Sequence, residues 1–208
     1  MKKESVYKLV FTALMAALVC VATFLRFPFL GSKVHLGNTL CLLAGLLLGG
    51  PAGGLAAGLG SALNDLVSGY PIDELLVTFV SKFLMALICA AIAGTVSKRT
   101  LRVSTEVEDD EKRVRVDTEV VEEDKKAHVR IVLGCAVGAF SYVALYMLKT
   151  FVYRRFVYGY PMETVWATMA SKLPASLINA VFALVVAPIL FGALRPALQK
   201  AGLLDKMR

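Results

Sequence analysis

Charge is scarce in this chain. Only 19% of its 208 residues are Asp, Glu, Lys or Arg, whereas 57% are hydrophobic, and the mean hydropathy is +0.67. That balance excludes a water-soluble fold as the default, and it excludes an intrinsically disordered chain. Glycine at 16 and proline at 7 are too few for a collagen-like or low-complexity fibre. No Gly-x-x-x-x-Gly-Lys-Ser/Thr phosphate loop is present, so the chain does not hydrolyse ATP by that route. His-Glu-x-x-His, Cys-x-x-Cys and Gly-x-Ser-x-Gly are missing too. The four cysteines, Cys20, Cys41, Cys89 and Cys135, all sit in apolar stretches, as buried thiols do, and imply no disulfide. Neither a metal site nor a cofactor is expected.

What is abundant is apolar sequence, unevenly spread. Uncharged or nearly uncharged stretches run from about Leu9 to Leu25, Leu36 to Gly50, Ala52 to Leu63, Leu75 to Val96, Ile131 to Leu148 and Val165 to Leu194. A bilayer core takes roughly 20 helical residues to cross. The second and third stretches are shorter and are separated by Gly49-Gly50-Pro51, a helix stop followed by a helix start, which predicts two short helices joined by a tight turn. The first stretch follows Lys2 and Lys3 as a secretory signal would, but no small-x-small cleavage site follows it and five more apolar stretches do. The expectation is an all-α, multi-pass protein of the cell membrane with six transmembrane helices.

Basic residues set the orientation. With the amino terminus inside, sixteen Lys and Arg fall in cytoplasmic segments and five outside: Arg26, Lys33, Lys149, Arg154 and Arg155. Both termini are then cytoplasmic. His35 and His128 fall on opposite sides of the membrane, which excludes a metal site shared between them.

Composition divides the chain into helices 1 to 4 (residues 1–97), a charged cytoplasmic loop (98–130), and helices 5 and 6 with a cytoplasmic tail (131–208). The loop holds nine basic and ten acidic residues, so the net charge of +7 belongs to the rest of the chain. There it suits anionic lipid headgroups of the bilayer and gives no case for nucleic acid. Inside the loop, Val103-Ser104-Thr105-Glu106-Val107 recurs thirteen residues later as Val116-Asp117-Thr118-Glu119-Val120. The reading is a solvated tether or small hairpin, or else a docking surface.

A longer repeat bears on function. Gly69-Tyr70-Pro71, Asp73, Thr78, Ser81 and Lys82 match Gly159-Tyr160-Pro161, Glu163, Thr168, Ser171 and Lys172 at a constant offset of 90. Each copy is an outer loop leading into a helix, and duplications of this kind in transporters place a binding site where the repeats meet. Each lysine lies about eight residues into its helix, roughly 12 Å deep at about 1.5 Å per residue. A cation there costs on the order of 2.5–3.5 kcal/mol on insertion scales. Two readings follow: an outward-opening polar cavity lined by Lys82 and Lys172, or anchoring at the interface and pairing with Asp65, Asp73 or Glu163. The cavity would favour a ligand bearing anionic or carbonyl oxygens.

Other polar residues gather on the same side: His35 and Asn38 at the start of the second helix, Asn64 and Asp65 at the end of the third, then Tyr70. Asn179, seven residues after Lys172, shares its helix face. Each alone reads as a cap or interhelical hydrogen bond; their convergence supports a site. Tyr146, Tyr153, Tyr158, Tyr160 and Trp166 suit an interfacial belt better than a ring-stacking platform. Gly45, Gly49, Gly53, Gly54 and Gly58, near four-residue spacing, let helices approach closely, and Ala13 and Ala17 do the same on the first helix, where they serve either internal packing or another subunit.

At this point the chain resembles a known family. Val34-His35-Leu36-Gly37-Asn38, the run Leu43 to Gly49, and Gly54 to Leu66 with its Gly58, Gly60, Asn64 and Asp65 are similar to the substrate-binding S components of energy-coupling-factor (ECF) transporters, in particular the riboflavin-type group. The resemblance implies a six-helix subunit that captures a water-soluble vitamin or precursor, riboflavin-like as a first expectation. It also implies partners: a membrane coupling subunit and two cytoplasmic ATPases. In such subunits small residues of the first helix face the coupling subunit, which would give Ala13 and Ala17 that role. The duplicated charged loop is not part of the family pattern. The substrate-binding set is then Lys82, Lys172, Asn64, Asp65, Asn179, His35, Asn38 and Tyr70. Two rival classes are a membrane-embedded enzyme using Asp65, Asp73 and Glu163 around an outer acidic cleft, and a structural membrane subunit without ligand.

Overall fold

A computed structural model describes residues 3–29, 32–103 and 113–204. The described chain is helical apart from one hairpin. In order come α1 (Lys3–Phe24), β1 (Arg26–Phe29), β2 (Ser32–His35), α2 (Gly37–Leu48), α3 (Gly50–Val67), α4 (Ile72–Val103), α5 (Arg113–Val152) and α6 (Met162–Lys200). Five residues of π-helix, Tyr153–Val157, extend α5. Four helical segments, Val6–Phe24, Ile72–Gly94, Lys126–Val157 and Met162–Lys200, are long and apolar enough to cross a bilayer. α2 and α3, at 12 and 18 residues, are the two short helices that the sequence predicts.

The turn between them rests on Gly49, whose φ of +70° a side chain would resist, with Pro51 in the first turn of α3. Gly49 therefore serves the turn and not helix packing, since a Cβ there would meet open space. Gly45 is one of several packing glycines: a Cβ on it would lie 2.5 Å from the Ala86 carbonyl oxygen of α4. Such contacts admit α2 to the middle of the bundle, against α1, α3, α4 and α6. Of its residues only Leu40 escapes burial, which fits a helix that is apolar all round. Leu42, Met85, Cys89, Cys135 and Ala139 form the core around it.

Two features depart from expectation. Arg26–Phe29 and Ser32–His35, which lie between the first two apolar stretches, pair antiparallel with Arg26 opposite His35 and Phe27 opposite Val34, so His35, expected at the start of the second helix, ends a strand. Phe27, Phe29 and Val34 are residue types that favour such a ribbon. The charged segment 98–130 is entered by helix from both sides, since α4 runs to Val103 and α5 starts at Arg113. Ser104, Thr105, Glu106 and Val107 of the first repeat copy lie outside the described residues.

Candidate functional site

At the end of the bundle that carries the hairpin, a cavity of about 580 Å³ opens between the hairpin and helices α1, α3, α4, α5 and α6. That volume falls within the roughly 300–1,000 Å³ of small-molecule sites. Its wall is unusual for such a site, because Pro28 alone among 24 lining residues has no polar side-chain atom. The polarity arises from helical spacing. α4 supplies Glu74, Thr78, Ser81 and Lys82; α5 supplies Tyr142, Tyr146, Lys149, Thr150 and Tyr153; α6 supplies Lys172, Ser176 and Asn179. Steps of three and four residues put each set on one face of an otherwise apolar helix.

The hairpin is fastened to this wall. Asn179 of α6 accepts the His35 backbone N–H through Oδ1 at 2.9 Å and donates from Nδ2 to the Lys33 carbonyl at 2.8 Å. His35 in turn accepts the Gly37 N–H on Nδ1 at 3.1 Å, which ties the ribbon to the start of α2. Burial, then the positive charges of Lys82, Arg26 and Lys33, push the His35 imidazole down to about 3. It is therefore neutral at physiological pH, and its unprotonated Nδ1 is what the Gly37 bond requires.

The two repeated lysines differ. Lys82 is 3% exposed; its ammonium donates to Asn38 Oδ1 of α2 and lies 3.5 Å from the Tyr142 ring centroid. Lys172 is half-buried, with its ammonium 5.8 Å from the Tyr146 ring. Six basic side chains line the cavity, Arg26, Lys33, Lys82, Lys149, Arg154 and Lys172, against two acids, Asp65 and Glu74. Among the described residues one ion pair forms there, Lys149 with Glu74 at 3.1 Å. Lys33 donates to the Tyr70 hydroxyl at 3.0 Å, and Arg154 lies over Tyr160 and Tyr158 at 5.3 and 5.8 Å. Asn64, 1% exposed, leaves its Oδ1 without a hydrogen-bond partner.

Of the sequence-derived set, Lys82, Lys172, Asn64, Asp65, Asn179, His35 and Tyr70 line the cavity. Asn38 does not, and reaches it only by holding Lys82. Asp73 and Glu163 are exposed and lie off the wall, so the acidic cleft of the rival enzyme is not assembled. Sequence reasoning assigned Tyr146, Tyr153, Tyr158 and Tyr160 to an interfacial belt, yet all four face the cavity; Trp166, 58% exposed, stays outside. It also missed Arg26, Lys149, Arg154 and Tyr142. The readable signal was the polar stripe at 142, 146, 149, 150 and 153 along α5. No group of His, Cys, Asp and Glu among the described residues is placed to hold a metal ion.

A helical membrane protein holding a cavity of small-molecule size lined by polar side chains is suited to bind a solute. Residues 3–109 match the family described as ECF-type riboflavin transporter, S component. No curated protein and no solved structure matches the chain. The chain belongs to that ECF family: it is a multi-pass cell-membrane S component that binds substrate for vitamin uptake, a transport subunit and not an enzyme.

Proposed function

We propose that the cavity beneath the hairpin is the vitamin site and that it faces the outside, with both termini cytoplasmic. The observation that carries this reading is the meeting, in one vitamin-sized hollow, of side chains from α3, α4, α6 and the hairpin that are remote in sequence. Lys82, Asn64, Asp65, Lys172, Asn179, Tyr70 and His35 line it. Riboflavin is the first ligand to test, with tyrosine rings for its flat system and the Asn64 oxygen as acceptor for a ligand N–H. Release inside would follow from a coupling subunit and two cytoplasmic ATPases. Ala13 and Ala17 are exposed on α1 and would meet the coupling subunit.

The test is a ligand-dependent thermal shift of the purified chain against a vitamin panel, riboflavin included. A rise with one vitamin, lost in Lys172→Ala, is expected. A panel without any shift, or a shift indifferent to Lys172, Asn64 and Asp65 alike, would remove the cavity from consideration.

A further inference from the structure

Of the five basic residues that the sequence assigns to the outer side, Arg26, Lys33, Lys149 and Arg154 line this one cavity. Cations meant for lipid headgroups would spread around the rim of the bundle. Here they converge inward, and Lys82 and Lys172 join them from the helices. Lys149 is matched by Glu74 and Lys82 is committed to Asn38 and Tyr142. Arg26, Lys33, Arg154 and Lys172 make no ion pair among the described residues. Arg154 is steadied by two tyrosine rings, themselves stacked at 5.9 Å, and Lys172 feels the charges of Arg154, Glu74 and Lys149. Like charges in a half-enclosed, partly desolvated hollow repel one another with less screening than on an open surface. A dianion bound between them removes that repulsion.

Resting on the vitamin-site reading, we infer that the preferred ligand is a phosphate ester carrying a flat ring, its phosphate held by Arg154 and Lys172 and its ring lying among the cavity tyrosines. The neutral, unphosphorylated ring compound binds the same place more weakly. Guanidinium and ammonium donors are suited to phosphate oxygens by charge and by hydrogen bonding.

The experiment compares two matched pairs, riboflavin with riboflavin 5′-phosphate and pyridoxine with pyridoxine 5′-phosphate. Each is titrated into the full chain in nanodiscs of neutral lipid at about 0.1 M salt. The expected result is at least a tenfold tighter Kd for one phosphate ester than for its neutral partner. That advantage should shrink with added salt and vanish in Arg154→Gln/Lys172→Gln, where the ester loses more affinity than its neutral partner does. If a neutral compound binds as well as its ester, the inference fails while the vitamin site stands. If no member of either pair binds, the inference fails, and the vitamin site falls with it only if the wider vitamin panel also gives no shift. Repeating the titration with phosphatidylglycerol in the nanodiscs separates the other source of phosphate: loss of the ester's advantage there would assign the cations to a lipid headgroup and overturn the inference.

Discussion

Gly69 and Gly159 both adopt positive φ, +76° and +67°, ahead of Pro71 and Pro161, and each copy of the repeat leads into a helix whose lysine reaches the same cavity. Beyond that likeness the copies diverge. α4 is packed by α2, α3 and α5, so Lys82 meets partners on every side and its ammonium is spent on Asn38 and Tyr142. α6 packs on α5, α2 and the hairpin, and Lys172 keeps an open side toward the cavity. The same residue at the same register is thus buried and hydrogen-bonded in one copy and half-buried along the cavity in the other. Identical sequence therefore does not carry identical work; the neighbouring helices decide it.

The sharpest way to break this comparison is to remove the buried lysine. Lys82→Met leaves the Asn38 amide buried and unpaired, at a cost of about 1–3 kcal/mol. The melting temperature of the purified chain should fall by about 2–4 °C for each of those kcal/mol. Asn38→Leu/Lys82→Met should lose less than the two single variants summed, as a double-mutant cycle would reveal. Equal stability of Lys82→Met and wild type would refute the structural role.

Next in size is Asn179→Ala, which deletes both hydrogen bonds from α6 to the hairpin at about 1 kcal/mol each. Hydrogen exchange of the His35 amide should quicken markedly while the α2 core remains protected. Unchanged exchange would mean that the hairpin is held by something else.

A smaller, pH-dependent effect comes from His35. With its folded pKa near 3 against an ordinary histidine value of 6.5, the folded chain binds fewer protons than the unfolded chain between those values. The contribution of the neutral ring is complete above about pH 6.5 and is lost progressively as pH falls toward 3. Melting temperature should drop on moving from pH 7 to pH 5, and His35→Asn, whose side-chain oxygen can take the Gly37 N–H without titrating, should flatten that slope.

The smallest expected effect on stability belongs to Lys172→Gln, within roughly 0.5 kcal/mol of wild type. Its effect should appear in vitamin affinity instead, weakened about tenfold, or about 1.4 kcal/mol. A large loss of melting temperature in Lys172→Gln would erase the distinction between the two copies.

Much of this architecture is legible in the chain because the bilayer makes few demands and makes them strictly. Long apolar runs become helices, Gly49-Gly50-Pro51 can only end one helix and start another, and a lysine at mid-helix must find polar company. The hairpin was harder to see, since four-residue strands flanked by long helices give little periodic signal. The α5 tyrosines were misassigned for a related reason. A tyrosine near a helix end has the same composition whether it faces headgroups or a cavity, and only the rotation of α5 against α4 and α6 chooses.

The sequence by itself determined the membrane class, the two short central helices, the duplicated lysines and the family, because hydropathy, backbone stereochemistry and motif are local properties. Only the tertiary structure decided that α2 sits at the centre, that Asn38 belongs to Lys82 while Asn179 belongs to the hairpin, and that Arg26, Lys33, Lys149 and Arg154 line one cavity. Those outcomes depend on which helix faces are brought within hydrogen-bonding reach, a property of packing between segments as far apart as Lys33 and Asn179 that no single segment encodes.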